Sequence, residues 1–573
     1  MKIKGLLLGM FACAALASCT NDDIVENNVN DVINGERETS VAVRLAFPQD
    51  GTSRAITTHE DFNNGELFEY NVEDVYFAFY SAGGKFLGYD EKAKTDFSWT
   101  TNNNGNNVTS KSAVTLKSEE EPASVVAIIN CPSELKGKDL KDLETELVMK
   151  KGTYDQWSQA GNGKTGKFVM LNSTYMDENG NIVKATSIPA DYMFNSEAEA
   201  SSTSNTKVLD IYVERLAAKV SVTEDAHMVT PTLENIEGLK GYTFEITGWG
   251  LNGTNKTVYP LKKLSTSYSE FANVVWNNYS NHRSYWAEDP NYSDGRYISD
   301  ADITKPEGED SYQAPTNASL NFYSWNQSTN ESGAYDYCLE NTMTESLLGN
   351  GKAIAYTHLL VAAQVKKEGT AANLYKYKTK FYIESGLKDL ILNTIKNKYG
   401  YKKAVTKDET TQYEDLVQAD MVITNTKEVA HITVANTVTL KKLKAGANND
   451  GWKDGNNVVD VTVEEKAAME AYYGTATFYN GGRCYYYMPI KHFAELQEST
   501  SGKVTNMFKF GAIGVVRNHW YNLNITKIMN MGEPVYDPDA PIVPKDEEDK
   551  EWFLQAQLNI LAWNKMPQQD VEF

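Results

Sequence analysis

The chain has 573 residues, of which 41% are hydrophobic and 11% aromatic, with 34 tyrosines. That is enough apolar mass for two or three packed domains, and it argues against global disorder. The net charge of −22 argues against nucleic acid as a partner.

The chain starts with the basic residues Lys2 and Lys4 and an apolar run from Leu6 to Ala15, too short to act as a stop-transfer helix. Small residues then lead to a cysteine in Leu16-Ala17-Ser18-Cys19. This lipobox pattern predicts a lipoprotein signal peptide over residues 1–18 and an acylated Cys19, which would tether the protein without a spanning helix. The plainer alternative is an ordinary signal peptide with an incidental cysteine. Residues 20–40 are polar and read as a flexible tether. In Val41-Ala42-Val43-Arg44-Leu45-Ala46-Phe47 the apolar side chains alternate, which predicts a strand with one buried face. A Gly/Ser/Thr loop with Arg54 and Ala55 follows.

Short strands then recur. Val72–Tyr80 ends at the Gly83-Gly84 turn before Phe86–Tyr89, and the continuous apolar run Val125–Ile129 predicts burial on both faces. Residues 133–160 read as partly helical. Val208–Val222 and Tyr242–Trp249 are strand-like, whereas residues 265–345, rich in Asn, Ser, Tyr and Trp, read as long ordered loops. Strands resume at Leu359–Val365, Tyr375–Ile383, Cys484–Ile490 and Tyr521–Ile528. A Pro-rich acidic linker then precedes a last strand. Many short strands with turn signals indicate β-sandwiches.

Motifs for chemistry are sparse. The 7 histidines lack metal-site spacing, and Cys131, Cys338 and Cys484 read as buried free thiols. Gly161-Asn162-Gly163-Lys164-Thr165 lacks the first glycine of a phosphate loop, since position 158 is Ser158, and reads as a flexible loop. Asn448–Gly451 with Asp454-Gly455 reads as a turn pair rather than a calcium loop. Trp276, Trp286 and Trp325 either stack on sugars or anchor loops, with loop anchoring the plainer reading. No catalytic residue, cofactor or metal ligand is expected, and the chain does not read as an enzyme.

The lipobox, the strand before the Ser53-Arg54-Ala55 loop, Val213–Val220, Phe244–Trp249, Val515–Ile528 and the acidic linker leading into Leu554–Trp563 together resemble the Bacteroidia type V pilus fimbrillins, in particular the Mfa-like major stalk subunit. The resemblance implies an all-β chain of two tandem transthyretin-like Greek-key β-sandwich domains with long loop insertions and a few short helices. It also implies a lipidated pro-segment, 19–54, removed by a trypsin-like protease between Arg54 and Ala55. An N-terminal sandwich over 55–225 and a C-terminal one over 226–573 would follow, with a linker at 533–550 and a donor strand at 551–573. Leu554, Ala556, Leu558, Ile560 and Ala562 form the apolar face of that strand. The four prolines of the preceding linker predict a stiff, solvated segment that reaches a neighbour rather than folding back. Arg37 and Arg44 are alternative cut sites, one leaving the strand on the mature protein and the other lying inside it.

The implied location is a cell-surface fimbria assembled from an outer-membrane lipoprotein precursor. The implied partners are other copies of the chain, accessory anchor and tip subunits, the maturation protease, and host proteins or glycans. Two rival readings share the lipobox and the sandwiches, namely a surface glycan-binding lipoprotein and a fimbrial tip adhesin.

Overall fold

The computed structural model describes residues 37–46, 65–101, 107–160, 163–233, 239–265, 276–290, 320–342, 357–492, 513–543 and 554–561. Strand is its commonest element, with a few short helices. The first unit holds β1 (Arg37–Ala46), β2 (Asp74–Tyr80), β3 (Phe86–Ala93), β4 (Ser98–Thr101), β5 (Asn107–Ser118) and β6 (Ser124–Ile129). It continues through β7 (Asp155–Ala160), β8 (Gly163–Phe168), β9 (Met170–Asn172), the one-turn helix α1 (Glu197–Ser201) and β10 (Leu209–Arg215).

The main sheet runs β3-β2-β6-β9-β10-β1-β5-β4. It curls so that β3 passes over β5: Thr115 N–H donates to the Asp90 carboxylate at 2.8 Å, and a side chain on Gly88 would place its Cβ 2.7 Å from Leu116 Cδ1. β2 and β6 are buried on both faces, as the unbroken apolar run of β6 requires. Their outer side is covered by the 133–144 segment, which forms two 3-10 turns; Gly137 N–H donates to the Tyr76 hydroxyl there at 3.1 Å. Residues 163–168 form β8, paired antiparallel with β7, so Gly163, Lys164 and Thr165 belong to a strand rather than to a flexible loop, while Gly161 and Asn162 lie outside the described residues.

The second unit begins with β11 (Ala217–Val229), β12 (Tyr242–Asn252), β13 (Tyr335–Leu339) and β14 (His358–Lys367). The chain then forms a third core from β15 (Leu374–Tyr377), β16 (Lys380–Tyr382), α2 (Glu384–Thr394), β17 (Met421–Thr426), β18 (Val429–Val434), α3 (Val463–Tyr473) and β19 (Thr475–Tyr479). It returns through β20 (Arg483–Pro489), β21 (Trp520–Ile528), β22 (Glu533–Pro534) and β23 (Leu554–Leu561). Two sheets, β13-β11-β21-β23 and β12-β14-β20-β22, enclose the second core.

β14 and β20 are antiparallel neighbours, with Gln364 opposite Arg483, so residues 368–482 are an insertion in one hairpin. The insertion has its own five-stranded sheet, β16-β15-β19-β18-β17, and a core that includes Leu387, Ile391, Met469 and Phe478. A reciprocal capping box starts α3: Glu465 N–H donates to Thr462 Oγ1, and Thr462 N–H donates to the Glu465 carboxylate.

An inserted module therefore lies at 368–482. Within 265–345 the described residues include a core strand, β13, and a fully buried Trp286. Trp325 donates its indole N–H to the Cys484 carbonyl at 3.0 Å, so it too anchors a loop.

Candidate assembly site

β1 is an interior strand. Along one edge it pairs antiparallel with β5 from Arg37↔Ser118 to Ala46↔Thr109. Along the other, Val43–Ala46 run parallel to Leu209–Tyr212 of β10, and Ser40 and Val41 pair with Phe194 and Met193. Val41, Val43 and Leu45 are fully buried in the first core, as their alternation predicted. The opposite face is covered at Ala42, which packs with Ala113 and with Ala200 of α1. Phe47, the expected fourth apolar contact, lies outside the described residues. Burial of the three core side chains contributes roughly 5–9 kcal/mol before ordering costs.

Arg44, on the outer face of β1, makes a two-pronged ion pair with Asp210 of β10, its register partner; one arm, Nη2 to Oδ2, is 2.6 Å. This hydrogen bond raises the guanidinium pKa above its ordinary value. The alternative cut site Arg44 is thus tied into a strand paired along both edges, which leaves a protease no free backbone edge to bind. Cys19, Arg54, Ala55 and Ala562 lie outside the described residues. The expected donor residues Leu554, Ala556, Leu558 and Ile560 lie on β23.

β23 pairs antiparallel with β21 of its own chain, from Trp520↔Leu561 to Ile528↔Leu554. The expectation that this segment does not fold back is corrected here, and the linker gives the reason. Instead of standing out in solvent, residues 534–543 are docked: Val535, Ile542 and Val543 are buried. Ile542 N–H donates to the Tyr323 carbonyl at 3.0 Å, and Asn252 Nδ2 donates to the Ile542 carbonyl at 2.8 Å. Beyond the docked linker, β23 has one described neighbour, β21, and forms the sheet edge.

A buried charged network connects the two cores. Lys219 of β11 lies 2.7 Å from the Glu69 carboxylate, both side chains fully buried, and the Tyr337 hydroxyl donates to that carboxylate at 2.5 Å. The Lys219 ammonium also sits over the rings of Tyr335 and Trp520, 3.8 and 3.9 Å from their centroids. Desolvation lowers its pKa from the ordinary lysine value. Arg215, pushed down to about 10 by burial, donates to the Glu69 carbonyl at 2.6 Å and to Asn518 Oδ1 at 3.1 Å. Lys262 meets Glu214 at 2.8 Å, and Arg517 meets Glu340 at 3.0 Å while also donating to the carbonyls of Tyr259 and Pro260.

Two segments singled out in the sequence thereby gain a physical role. Val213–Val220 carries Glu214, Arg215 and Lys219, while Val515–Ile528 carries Arg517 and Asn518. Asn518 adopts φ 58°, a left-handed conformation that suits asparagine, and its N–H donates to the Ala217 carbonyl at 2.8 Å. Sequence reading missed Glu69 and Asp210. Asp210 sits at the outward position of an alternating strand, the one signal that could have marked it.

Histidines 492 and 519 are buried, with His492 pushed down to about 3 by desolvation and hydrogen-bonded to the Tyr521 hydroxyl at 2.8 Å. Cys131, Cys338 and Cys484 are free thiols. Among the described residues, no group of three or more His, Cys, Asp or Glu side chains is placed to hold a metal ion. No helix among them is long and apolar enough to cross a membrane.

The β20–β23 portion of the chain also matches a family model. Residues 477–569 fit the major fimbrial subunit protein type IV, fimbrillin, C-terminal. This stretch is similar to a fimbrillin C-terminal segment. The fimbrillin resemblance read from the sequence thus holds where the C-terminal strand and the Val515–Ile528 block lie. Among solved structures, a fimbrilin from Porphyromonas gingivalis W83 is 12% identical, with 92% of this chain and 98% of that chain covered and a TM-score of 0.36. The tip fimbrial protein Mfa3 from Porphyromonas gingivalis is 9% identical, with 92% and 100% covered and a TM-score of 0.30. No curated protein matches the chain.

Proposed function

We propose that this chain is a structural subunit of a surface fimbria with a role in adhesion. It is exported as a lipoprotein acylated at Cys19, activated by a trypsin-like cut between Arg54 and Ala55, and polymerised by donor-strand exchange through residues 551–573. On this reading the pro-segment is 19–54, and the subunit partners with its own copies and with anchor and tip subunits. The observation that carries the reading is the placement of β1. A strand immediately ahead of Arg54 fills an interior slot between β10 and β5 and buries three apolar side chains there. While β1 stays, no other strand can enter. Once the chain is cut, β1 is held by its slot contacts alone, and a strand of similar alternating pattern can replace it by β-strand addition.

β23 supplies such a pattern: Leu554, Ala556, Leu558 and Ile560 alternate with Gln555, Gln557 and Asn559. The presence of both elements favours a stalk position over a tip adhesin, and a terminal donor strand is surplus to a glycan-binding lipoprotein. Deletion of residues 550–573 tests the donor role. The truncated protein is expected to remain a soluble folded monomer and to form no filaments after trypsin treatment, read by electron microscopy. Filaments from the truncated protein would contradict the assignment.

A further inference from the structure

The inserted module takes no part in the proposed strand exchange, yet it carries a cleft of about 550 Å³ between α2 and the 415–418 segment. One wall is the end of α2, where residues 395–399 form a π-helical turn that Gly400, at φ 63°, terminates. Such turns are frequent at functional sites, because the widened turn shifts side chains off the regular helical face. Asp389, Asn393 and Lys396 come from this wall.

The other wall carries Asp415 and Gln418. It is held from behind: Val417 N–H donates to the Asp420 carboxylate at 2.7 Å, and Asp420 in turn is paired with Lys403 at 2.7 Å. Two contacts tie the walls together. Lys396 meets Asp415 at 2.7 Å, and Gln418 Nε2 donates to Asp389 Oδ1 at 2.6 Å.

The volume falls in the range of small-molecule sites. Lys396 and Asp415 neutralise each other across the cleft, while Asp389 is held by the neutral Gln418 amide and keeps its negative charge, so an anionic ligand would have to break the Lys396 pair. The carboxylates retain free acceptor lone pairs, and the Asn393 and Gln418 amides both donate and accept. Half-exposed Val417 and half-buried Leu416 add an apolar strip between these polar groups. Alternating donors and acceptors beside an apolar strip match the hydroxyls and ring face of an uncharged sugar.

We propose that this cleft binds a neutral oligosaccharide, so that each subunit displays a lateral glycan site on its inserted module. The test is calorimetric titration of the full-length protein with lactose, mannotriose and chitotriose, beside sialyllactose as a charged control. At least one neutral sugar is expected to bind at millimolar or lower concentration. Gln418→Ala is expected to weaken that binding about tenfold, and Asn393→Trp, which fills the cleft, to abolish it. Asp389→Asn serves as the conservative third variant should the tryptophan variant fail to fold. Three results would overturn the proposal: no binding of any neutral sugar, affinity unchanged in the folded variants, or a clear preference for sialyllactose. Filament formation by the same variants is expected to match wild type, which separates failure of this site from failure of the fimbrial reading.

Discussion

β1 and β23 lie near opposite ends of the chain and share an alternating apolar pattern, yet they are held differently. β1 has a strand on each side and an outer face covered at Ala42, whereas β23 has one described neighbour, β21, and closes a sheet edge. An edge strand leaves by breaking one ladder, and an interior strand must break two and expose a core. The fold thus holds β1, the strand proposed to depart, more firmly than the segment proposed to replace it. This is the order required if the subunit is to stay monomeric until a covalent cut is made.

For the slot to survive after β1 departs, its walls must be fixed by something other than β1. The buried network does this for β10, because Arg215 at its end is bonded to Glu69 and Asn518. Glu69→Ala should therefore have the largest effect on stability. It strands the Lys219 charge in a dry site and should cost about 3–5 kcal/mol in denaturant unfolding of the uncut protein. Pairing it with Lys219→Met should recover much of that loss. A Glu69→Ala chain as stable as wild type would mean that the slot walls do not depend on this network.

A somewhat smaller effect is expected inside the slot. Leu45→Ala should cost about 2–5 kcal/mol in the uncut chain. After trypsin treatment it should also release the pro-segment faster than wild type, followed by gel filtration. Equal release rates would show that β1 is not held by its apolar face.

Much of this comparison was legible in the sequence. The period-two alternation of Val41, Val43 and Leu45 marked β1, and the apolar run Val125–Ile129 marked a two-sided core strand, because the signal sits in consecutive side chains. The partner strands of β1 were not legible, since Asp210 and Ser118 are separated from Arg44 and Arg37 by long stretches of chain and pair only through topology. The return of β23 was misread because proline content suggests stiffness. Val535, Ile542 and Val543 instead provide apolar docking points along the linker. The module at 368–482 was hidden for a related reason: its strands and helices share the local patterns of the sandwiches, and only the pairing of β14 with β20 across it reveals an insertion.

The most direct test of the account is the Arg54→Ala variant, assayed beside wild type for lipid labelling, retention of residues 20–54 and assembly. Wild type treated with trypsin should lose the pro-segment and ladder into SDS-resistant oligomers, while the variant should stay lipid-anchored and monomeric with the segment attached. Polymerisation of the variant at the wild-type rate with residues 20–54 still attached would contradict the account.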